Sequence, residues 1–470
     1  ASVLCVGMKP RESEFRILTS LGFIAPMKSK LSITWFCLSL IVLCCFLVLT
    51  TVAHEDKDGA KKPVAVTHQQ RYTATAMPDR ILLSWQQSPA TSFSVTWRTD
   101  LTVDVGLGEI AVATDGPKFT SKKTTIEATR VTYKPEFGEV HHYTAAFEGL
   151  KPETQYVYRV GDGVNWSEWI QVTTAADHAK PFRFVYFGDS QNSVWSMWSR
   201  VVRQSYKNAP KSAFFLHAGD LVNKTNSDGE WGEWFQAGGF IHSSTPVVAC
   251  PGNHEYSSKL SIHWRPTFAF PENGPEDLLE TVYYIDYQGM RLVVLDSNVR
   301  TGEQAEWLES VLKDNPQKWT VVCQHHPIYS SKAGRDNPLL RDTWQPIFDK
   351  YKVDLVLQGH DHTYARSGLM TWENVPKGVT TRTDIGTVYV VSVSGPKMYD
   401  LGKRPFMKRG AEDTQLFQVI DVDGDEIRYE ARTARGVLYD AFTLQKQAAG
   451  KANLLTEQIP DTPERLRAAK

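Results

Sequence analysis

The chain has 470 residues, room for two to four domains at roughly 100–200 residues each, and 41% hydrophobic with 22% charged residues is ordinary globular usage that excludes collagen-like, disordered and all-membrane chains. Lys and Arg number 52 against 53 Asp and Glu, a formal charge of -1, so no cationic field gathers nucleic acid irrespective of sequence and any anionic substrate has to be held locally. Six cysteines are too few for a disulfide scaffold, and four of them (Cys5, Cys37, Cys44, Cys45) fall in the first 53 residues.

Residues 31–53 carry no charged side chain. Lys28 and Lys30 precede this run, Glu55 and Asp56 follow it, and Thr51-Val52-Ala53 offers the small residues a signal peptidase needs. Residues 1–53 are therefore read as upstream sequence plus a signal peptide. The run is also long enough to span about 30 Å of hydrocarbon, so an uncleaved signal anchor is the alternative. Either way the remainder is exported, with 47 Lys and Arg against 51 Asp and Glu, and it meets a membrane only if the segment stays attached. Residues 54–71 read as a linker.

From 72 to 176 the texture is that of short alternating strands, at 80–85, 92–98, 140–147 and 154–160, punctuated by turn-forming Ser, Pro, Asp and Gly groups. This predicts a β-sandwich of about a hundred residues, with Trp85, Trp97, Tyr156 and Tyr158 supplying bulk to an inner face. After residue 180 the texture changes. Apolar runs at 182–187, 213–216, 246–250, 291–295, 320–323 and 353–357 read as strands buried on both faces. Segments 194–206, 303–312 and 344–351 have helical spacing and close an α/β layer. Runs at 387–393, 416–422 and 426–432 predict a second sheet, giving a second domain over 180–445, and 446–470 reads as an exposed helix or tail.

The chemistry sits where the strand runs stop. Gly188-Asp189 follows the first, Gly219-Asp220 the second, Gly252-Asn253-His254-Glu255 the third, His325-His326-Pro327 a later one and Gly359-His360-Asp361-His362 the last. In open α/β sheets ligands collect beyond the carboxyl ends of strands, and a glycine beside each polar residue lets the backbone turn sharply there. Carboxylates, an amide and several imidazoles make a mixed oxygen and nitrogen set suited to a pair of first-row metal ions.

This ordered series resembles the calcineurin-like metallophosphoesterases. With the preceding sandwich, with Pro78-Asp79-Arg80-Ile81-Leu82-Leu83-Ser84-Trp85, and with Tyr364 and Arg366 after the last motif, it resembles the purple acid phosphatase branch in particular. The resemblance implies a fibronectin/Ig-like β-sandwich followed by a two-sheet αββα metallophosphoesterase sandwich. It implies one metal on Asp189, Asp220 and His362 and a second on Asp220, Asn253, His325 and His360, with Fe, Zn or Mn in a combination the residues leave open. One carboxylate can hold two cations ~3.5–4 Å apart, and a water between them is acidic enough to serve as a hydroxide nucleophile near neutral pH. His254 is placed to steady the phosphoryl group or protonate the leaving oxygen, and Glu255 and Asp361 are candidates for orienting the histidines, against plain solvated carboxylates.

Two departures from the branch matter. Its members have a tyrosine three positions after the second Asp, where this chain has Asn223, so tyrosinate-to-iron charge transfer is not expected. Its plant members carry a further histidine about ten residues after His-x-Pro, absent from the 330–337 segment here. Arg335 or Lys332 is a candidate phosphate clamp instead, against a solvated loop charge; His326 is a candidate substrate contact; Gln191 and Asn223 are each a weak metal ligand or a pocket wall. His217, His242 and His263 read as packed histidines, and Cys250 and Cys323 as buried apolar groups, although an exported protein permits a bridge. Three functions follow in order: an exported phosphomonoesterase acting on small phosphate esters, a phosphodiesterase or nucleotide hydrolase on the same site, and a non-catalytic binding protein with a vestigial metal site.

Overall fold

The computed structural model describes residues 64–372, 386–448 and 451–468. The expected signal segment and residues 54–63 of the expected linker lie outside them. No helix among the described residues is long and apolar enough to cross a membrane. The C-terminal end of the expected linker is not extended: α1 (His68–Tyr72) forms there because Thr67 and Gln70 make a reciprocal capping box, which satisfies backbone donors that so short a helix cannot satisfy internally.

The sandwich comprises β1 (Asp79–Ser84), β2 (Phe93–Thr99), β3 (Leu107–Val112), β4 (Thr124–Glu127), β5 (Thr129–Tyr133), β6 (Val140–Phe147), β7 (Gln155–Gly161) and β8 (Ile170–Thr173). They form two antiparallel sheets in the orders β1-β2-β6-β5 and β4-β3-β7-β8. The four strands expected from alternation are β1, β2, β6 and β7. Strands β4 and β5 left no such signal because nearly all their residues face water. Strand β2 is buried along its whole length: Trp97 stacks on Tyr143 inside the sandwich, while Thr96 Oγ1 donates to Thr267 O of the catalytic domain. The four expected aromatics are buried, but they divide between two tasks. Trp85 packs on Phe214 and Tyr287, and the Tyr158 hydroxyl donates to Ser243 O, so both serve the contact with the catalytic domain rather than the sandwich interior alone.

The catalytic domain opens with β9 (Phe182–Phe187), a π-helical turn at Val194–Trp198, α2 (Ser199–Asn208), β10 (Phe215–His217), α3 (Asp228–Gly238), α4 (Phe240–Ser244) and β11 (Val247–Ala249). Then come α5 (Trp264–Thr267), β12 (Tyr283–Tyr287), β13 (Met290–Val294), α6 (Glu303–Lys313), β14 (Trp319–Cys323), α7 (Pro338–Lys350), β15 (Leu355–Gln358), β16 (Tyr364–Met370) and β17 (Thr387–Val391). The chain closes with β18 (Met407–Ala411), β19 (Leu416–Asp423), β20 (Glu426–Thr433), β21 (Leu438–Gln445) and β22 (Leu454–Glu457). Helix α7 begins at a proline, where a missing N–H costs no intrahelical bond, six residues before the expected start.

Two seven-stranded sheets result, ordered β11-β10-β9-β19-β20-β21-β22 and β12-β13-β14-β15-β17-β16-β18. This corrects the expectation that the strands after 387 make a sheet of their own. β17 runs parallel to β15 in one sheet, whereas β19 pairs antiparallel with β9 in the other. The C-terminal segment is likewise not a helix: β22 pairs with β21 through Phe442–Gln445 and extends the first sheet. The sheets face each other, with the Tyr186 hydroxyl of β9 donating to Gln358 O of β15 and the Tyr283 hydroxyl of β12 donating to Ala249 O of β11 at 2.8 Å. Outside, α6 and α7 cover the second sheet, packing Leu308, Leu312, Trp344 and Phe348 on Val293, Val322 and Val356.

A fully buried ion pair crosses between the sheets. Arg366 on β16 donates from Nε to Asp440 Oδ2 on β21 at 2.7 Å, both side chains fully buried, and the Tyr364 hydroxyl donates to the same oxygen at 2.7 Å. Removing one member of such a pair leaves a charge buried without its partner. Asp440→Ala is therefore expected to lose about 3–5 kcal/mol in urea unfolding, and the double change Arg366→Met with Asp440→Leu to recover most of it.

Candidate metal centre

Each expected ligand lies just past the carboxyl end of a strand, and the two sheets contribute alike. Asp189, Asp220 and Asn253 follow β9, β10 and β11 of the first sheet; His325 follows β14 and His360 and His362 follow β15 of the second. The turns are tight enough that Asp220, His360 and His362 take left-handed backbone conformations, φ +53°, +75° and +49°. Each such conformation costs a non-glycine residue on the order of 1–3 kcal/mol and persists only where the surroundings enforce it. Two glycines make room: a Cβ on Gly252 would lie 2.2 Å from Asp220 Oδ1, and one on Gly359 would lie 2.3 Å from Asp189 Oδ1.

The donor atoms converge. One oxygen or nitrogen from each of Asp189, Asp220 and His362 lies within 4.8 Å of the others. The nitrogens of His325, His326 and His360 form a second such group, and His325 Nε2 is 3.3 Å from Asp220 Oδ2 and 3.2 Å from Asn253 Oδ1. Asp220 thus borders both groups.

The hydrogen bonds around these donors point to cations between them. His325 Nδ1 lies 2.7 Å from Ala218 O, and since a carbonyl only accepts, the ring proton belongs on Nδ1. Its Nε2 lone pair then faces Asp220 Oδ2, Asn253 Oδ1 and, at 3.1 Å, His360 Nδ1. His362 repeats the pattern: Nδ1 donates to Lys397 O at 2.9 Å, and Nε2 faces Asp189 Oδ2 at 3.1 Å, a buried oxygen with no hydrogen-bond partner. Electron-rich atoms arranged this way repel unless positive charge lies among them. Imidazoles that donate their second N–H to backbone carbonyls are the usual arrangement of metal-ligating histidines, and the carboxylate, amide and imidazole donors suit Fe, Zn or Mn.

With no cation the cluster has to gather protons. Burial, reinforced by the charge on Asp220, pushes the Asp189 carboxyl up to about 8. Against its burial, the His325 imidazole is drawn up to about 10 by Asp220 and Asp189.

Several assignments change. Glu255 and Asp361 are neither solvated nor in contact with an imidazole. Glu255 is fully buried and accepts from Asp220 N, Leu221 N and Gly252 N at 2.7–2.8 Å, pinning two ligand-bearing turns together. Asp361 accepts from Ser331 N and Ser330 Oγ through Oδ2 and from Arg335 through Oδ1. Arg335 Nη1 is held by that carboxylate and by His360 O, so it braces the last motif instead of reaching for phosphate. Gln191 donates from Nε2 to Asp220 Oδ2 at 2.6 Å while its oxygen accepts from Lys397 Nζ at 3.3 Å, so it lines the pocket beside Asp220. Asn223 offers its backbone carbonyl to His254 Nδ1 at 2.6 Å. His326 Nδ1 lies 2.8 Å from Ser297 Oγ, and its ring packs against His360. Sequence reasoning passed over Ser297, Lys397 and Tyr399, which lie in no motif and reach the site only through the fold.

The histidines expected to be packed are so: His217, His242 and His263 are buried among Phe187, Trp198, Trp231 and Trp234, and burial lowers all three. Cys250 and Cys323 are buried free thiols whose sulfurs lie 3.9 Å apart.

Two outcomes are expected. Gly252→Ala drives a methyl group into the Asp220 carboxylate and lowers the bound metal below one equivalent by elemental analysis. Protein loaded with iron shows no strong visible charge-transfer band, because position 223 supplies no phenolate; such a band would place a tyrosine on the metal.

Comparison with known proteins agrees with this geometry. Residues 78–174 match the N-terminal domain of purple acid phosphatases, and residues 182–364 match the calcineurin-like phosphoesterase domain. An uncharacterized protein of Mycobacterium tuberculosis is 28% identical over 390 residues, covering 70% of this chain and 72% of that one. Acid phosphatase type 7 of Danio rerio is 26% identical over 333 residues, covering 62% of this chain and 71% of its own length. The solved structure of a purple acid phosphatase from yellow lupin (Lupinus luteus) shares the fold at a TM-score of 0.67 and 20% identity, covering 79% of this chain and 75% of that one. The chain therefore carries a calcineurin-like phosphoesterase domain behind a purple acid phosphatase N-terminal domain, and is a metal-dependent phosphoester hydrolase.

Proposed function

We propose that the chain is an exported phosphomonoesterase of the acid phosphatase kind that works through two metal ions sharing the Asp220 carboxylate. The observation that carries this reading is the meeting of two donor groups at Asp220, with Asp189 and His362 on one side and Asn253, His325 and His360 on the other. When bound, a pair of first-row cations supplies Lewis acidity toward phosphoryl oxygens and acidifies a water. A complete donor set argues against a vestigial centre.

The remaining tasks fall to side chains. The His254 backbone N–H donates to Asp220 Oδ1 at 2.8 Å, and Nδ1 is held by Asn223 O. Its Nε2 therefore faces the centre, 4.0 Å from Asp220 Oδ2, where a proton on it can pass to the leaving oxygen. Ser297 Oγ accepts from the His326 backbone N–H at 2.8 Å. The serine hydrogen is then available for His326 Nδ1, and the ring proton on Nε2 becomes a donor for a phosphoryl oxygen. The Glu255 carboxylate keeps Asp220 in its left-handed turn, so the shared ligand is in place before substrate arrives. The uncharged run at 31–53 supports export.

Asp220→Asn is expected to lose both metal and turnover of p-nitrophenyl phosphate. His254→Ala is expected to keep its metal while kcat falls by about 10²–10⁴-fold, the usual range for a lost general acid. Faster turnover of bis(p-nitrophenyl) phosphate than of the monoester would replace the monoesterase reading with a diesterase one. N-terminal sequencing of protein recovered outside the cytoplasm of expressing cells tests export, which predicts a start near residue 54.

A further inference from the structure

The loop over 394–402 carries charge that the metal ligation does not use. Its backbone is tied to two donor residues: Asp189 O accepts from Ser394 N and Gly395 N at 3.0 and 2.6 Å, and Lys397 O and Tyr399 N both bond to His362. The Tyr399 ring meets the His362 imidazole edge to face, centroids 4.6 Å apart. Lys332 and Lys397 approach that ring, their ammonium nitrogens 4.3 and 5.5 Å from its centroid. The Lys332 segment is fixed as well, since Ser331 N and Lys332 N donate to Asp361 Oδ2 and Ala333 N donates to Asp400 O. Both lysines thus rise from loops whose backbone is tied to the segments that carry the metal donors.

Neither lysine has a carboxylate within ion-pair distance among the described residues. The nearby acids are already engaged: Asp361 with Arg335, Asp400 with Arg467, Asp336 with Arg341. Besides the Tyr399 ring, Lys397 Nζ meets the neutral Gln191 amide, whose other end donates to Asp220. An aromatic face attracts a cation but does not neutralise it. Two uncompensated positive charges therefore flank a centre built for one phosphoryl group, on the side of His362.

We propose that Lys332 and Lys397, gathered over Tyr399, form an anion subsite that takes the second phosphate of a diphosphate or bisphosphate ester while the first lies at the metal centre. The subsite rests on the hydrolase reading and names the substrate class that this chain prefers. Arg335 is not part of it, because its guanidinium braces Asp361 and His360.

Titration calorimetry of metal-loaded protein with methylphosphonate and methylenediphosphonate, neither of which is hydrolysed, tests the proposal. The diphosphonate is also the better chelator, so the deciding quantity is the ratio of the two affinities and how it changes when a lysine is removed. Lys332→Gln and Lys397→Gln are each expected to lower the preference for the diphosphonate about tenfold, the size of a lost charge-assisted hydrogen bond, and Lys397→Arg to retain it. A ratio unchanged in both glutamine variants, or both probes weakened equally, overturns the subsite. Turnover of p-nitrophenyl phosphate by the unaltered protein reports separately on the reading beneath. An active enzyme with an unchanged ratio overturns the subsite alone, whereas inactivity toward every ester with the ratio lowered as expected overturns the hydrolase reading and leaves the subsite.

Discussion

Two carboxylates buried side by side without a lysine or arginine to neutralise them are the constraint on which this structure turns. Asp189 and Asp220 are 0% and 1% exposed, and besides one backbone N–H each the groups that face them are imidazole nitrogens and a side-chain amide. Isolated ionised carboxylates are not stable in such surroundings, and like charges at this distance oppose each other's ionisation. The arrangement becomes favourable when cations occupy the space between the donors, which makes the metal centre part of the electrostatic balance of the fold as well as of its chemistry.

The scaffold holds that arrangement against its own local preferences. Three of the residues at the centre sit in left-handed backbone conformations, and the groups that hold them there are acids turned toward backbone rather than toward metal. Glu255 gathers the N–H groups of the Asp220 and Gly252 turns, and Asp361 gathers those of 331 and 332. Burial also raises Glu255 to about 7, with the Asp220 charge adding to the effect, so the clamp shares the electrostatics of the ligands it positions. Because the two sheets supply ligands in equal number, anything that separates them separates the donors, and the buried Arg366–Asp440 pair serves the site from a distance.

The sandwich contributes through its outer face. Arg80 and Arg98 converge on the buried Asp228 at the start of α3, Arg98 also pairs with Asp79, and Ser84 and Thr96 bond to backbone near α5. These polar contacts explain why β2 reads as a core strand although only one of its faces points into the sandwich. They also account for the Arg80 of the Pro78–Trp85 motif, whose guanidinium anchors one domain to the other.

The six candidate ligand positions stand out in the linear order of residues because each follows a strand run within two to four residues, while their division between two metals came from the resemblance of that ordered series to a known family. The strand pattern itself was legible wherever burial alternates or is complete, as in β2, β9 and β14, and illegible in β4 and β5, which face water on nearly every residue. Which sheet each strand enters was decided by tertiary packing, since β17 and β19 are both largely buried yet pair in different sheets. The partners of Glu255, Asp361, Arg335 and Gln191 were decided the same way: a charged or amide side chain takes the complementary group that folding brings within about 3 Å, here often thirty or more residues away. Residue type and spacing thus determined what chemistry the chain can support, and the approach of distant backbone determined which polar groups hold the ligands and which, like Lys332 and Lys397, have no carboxylate partner among the described residues.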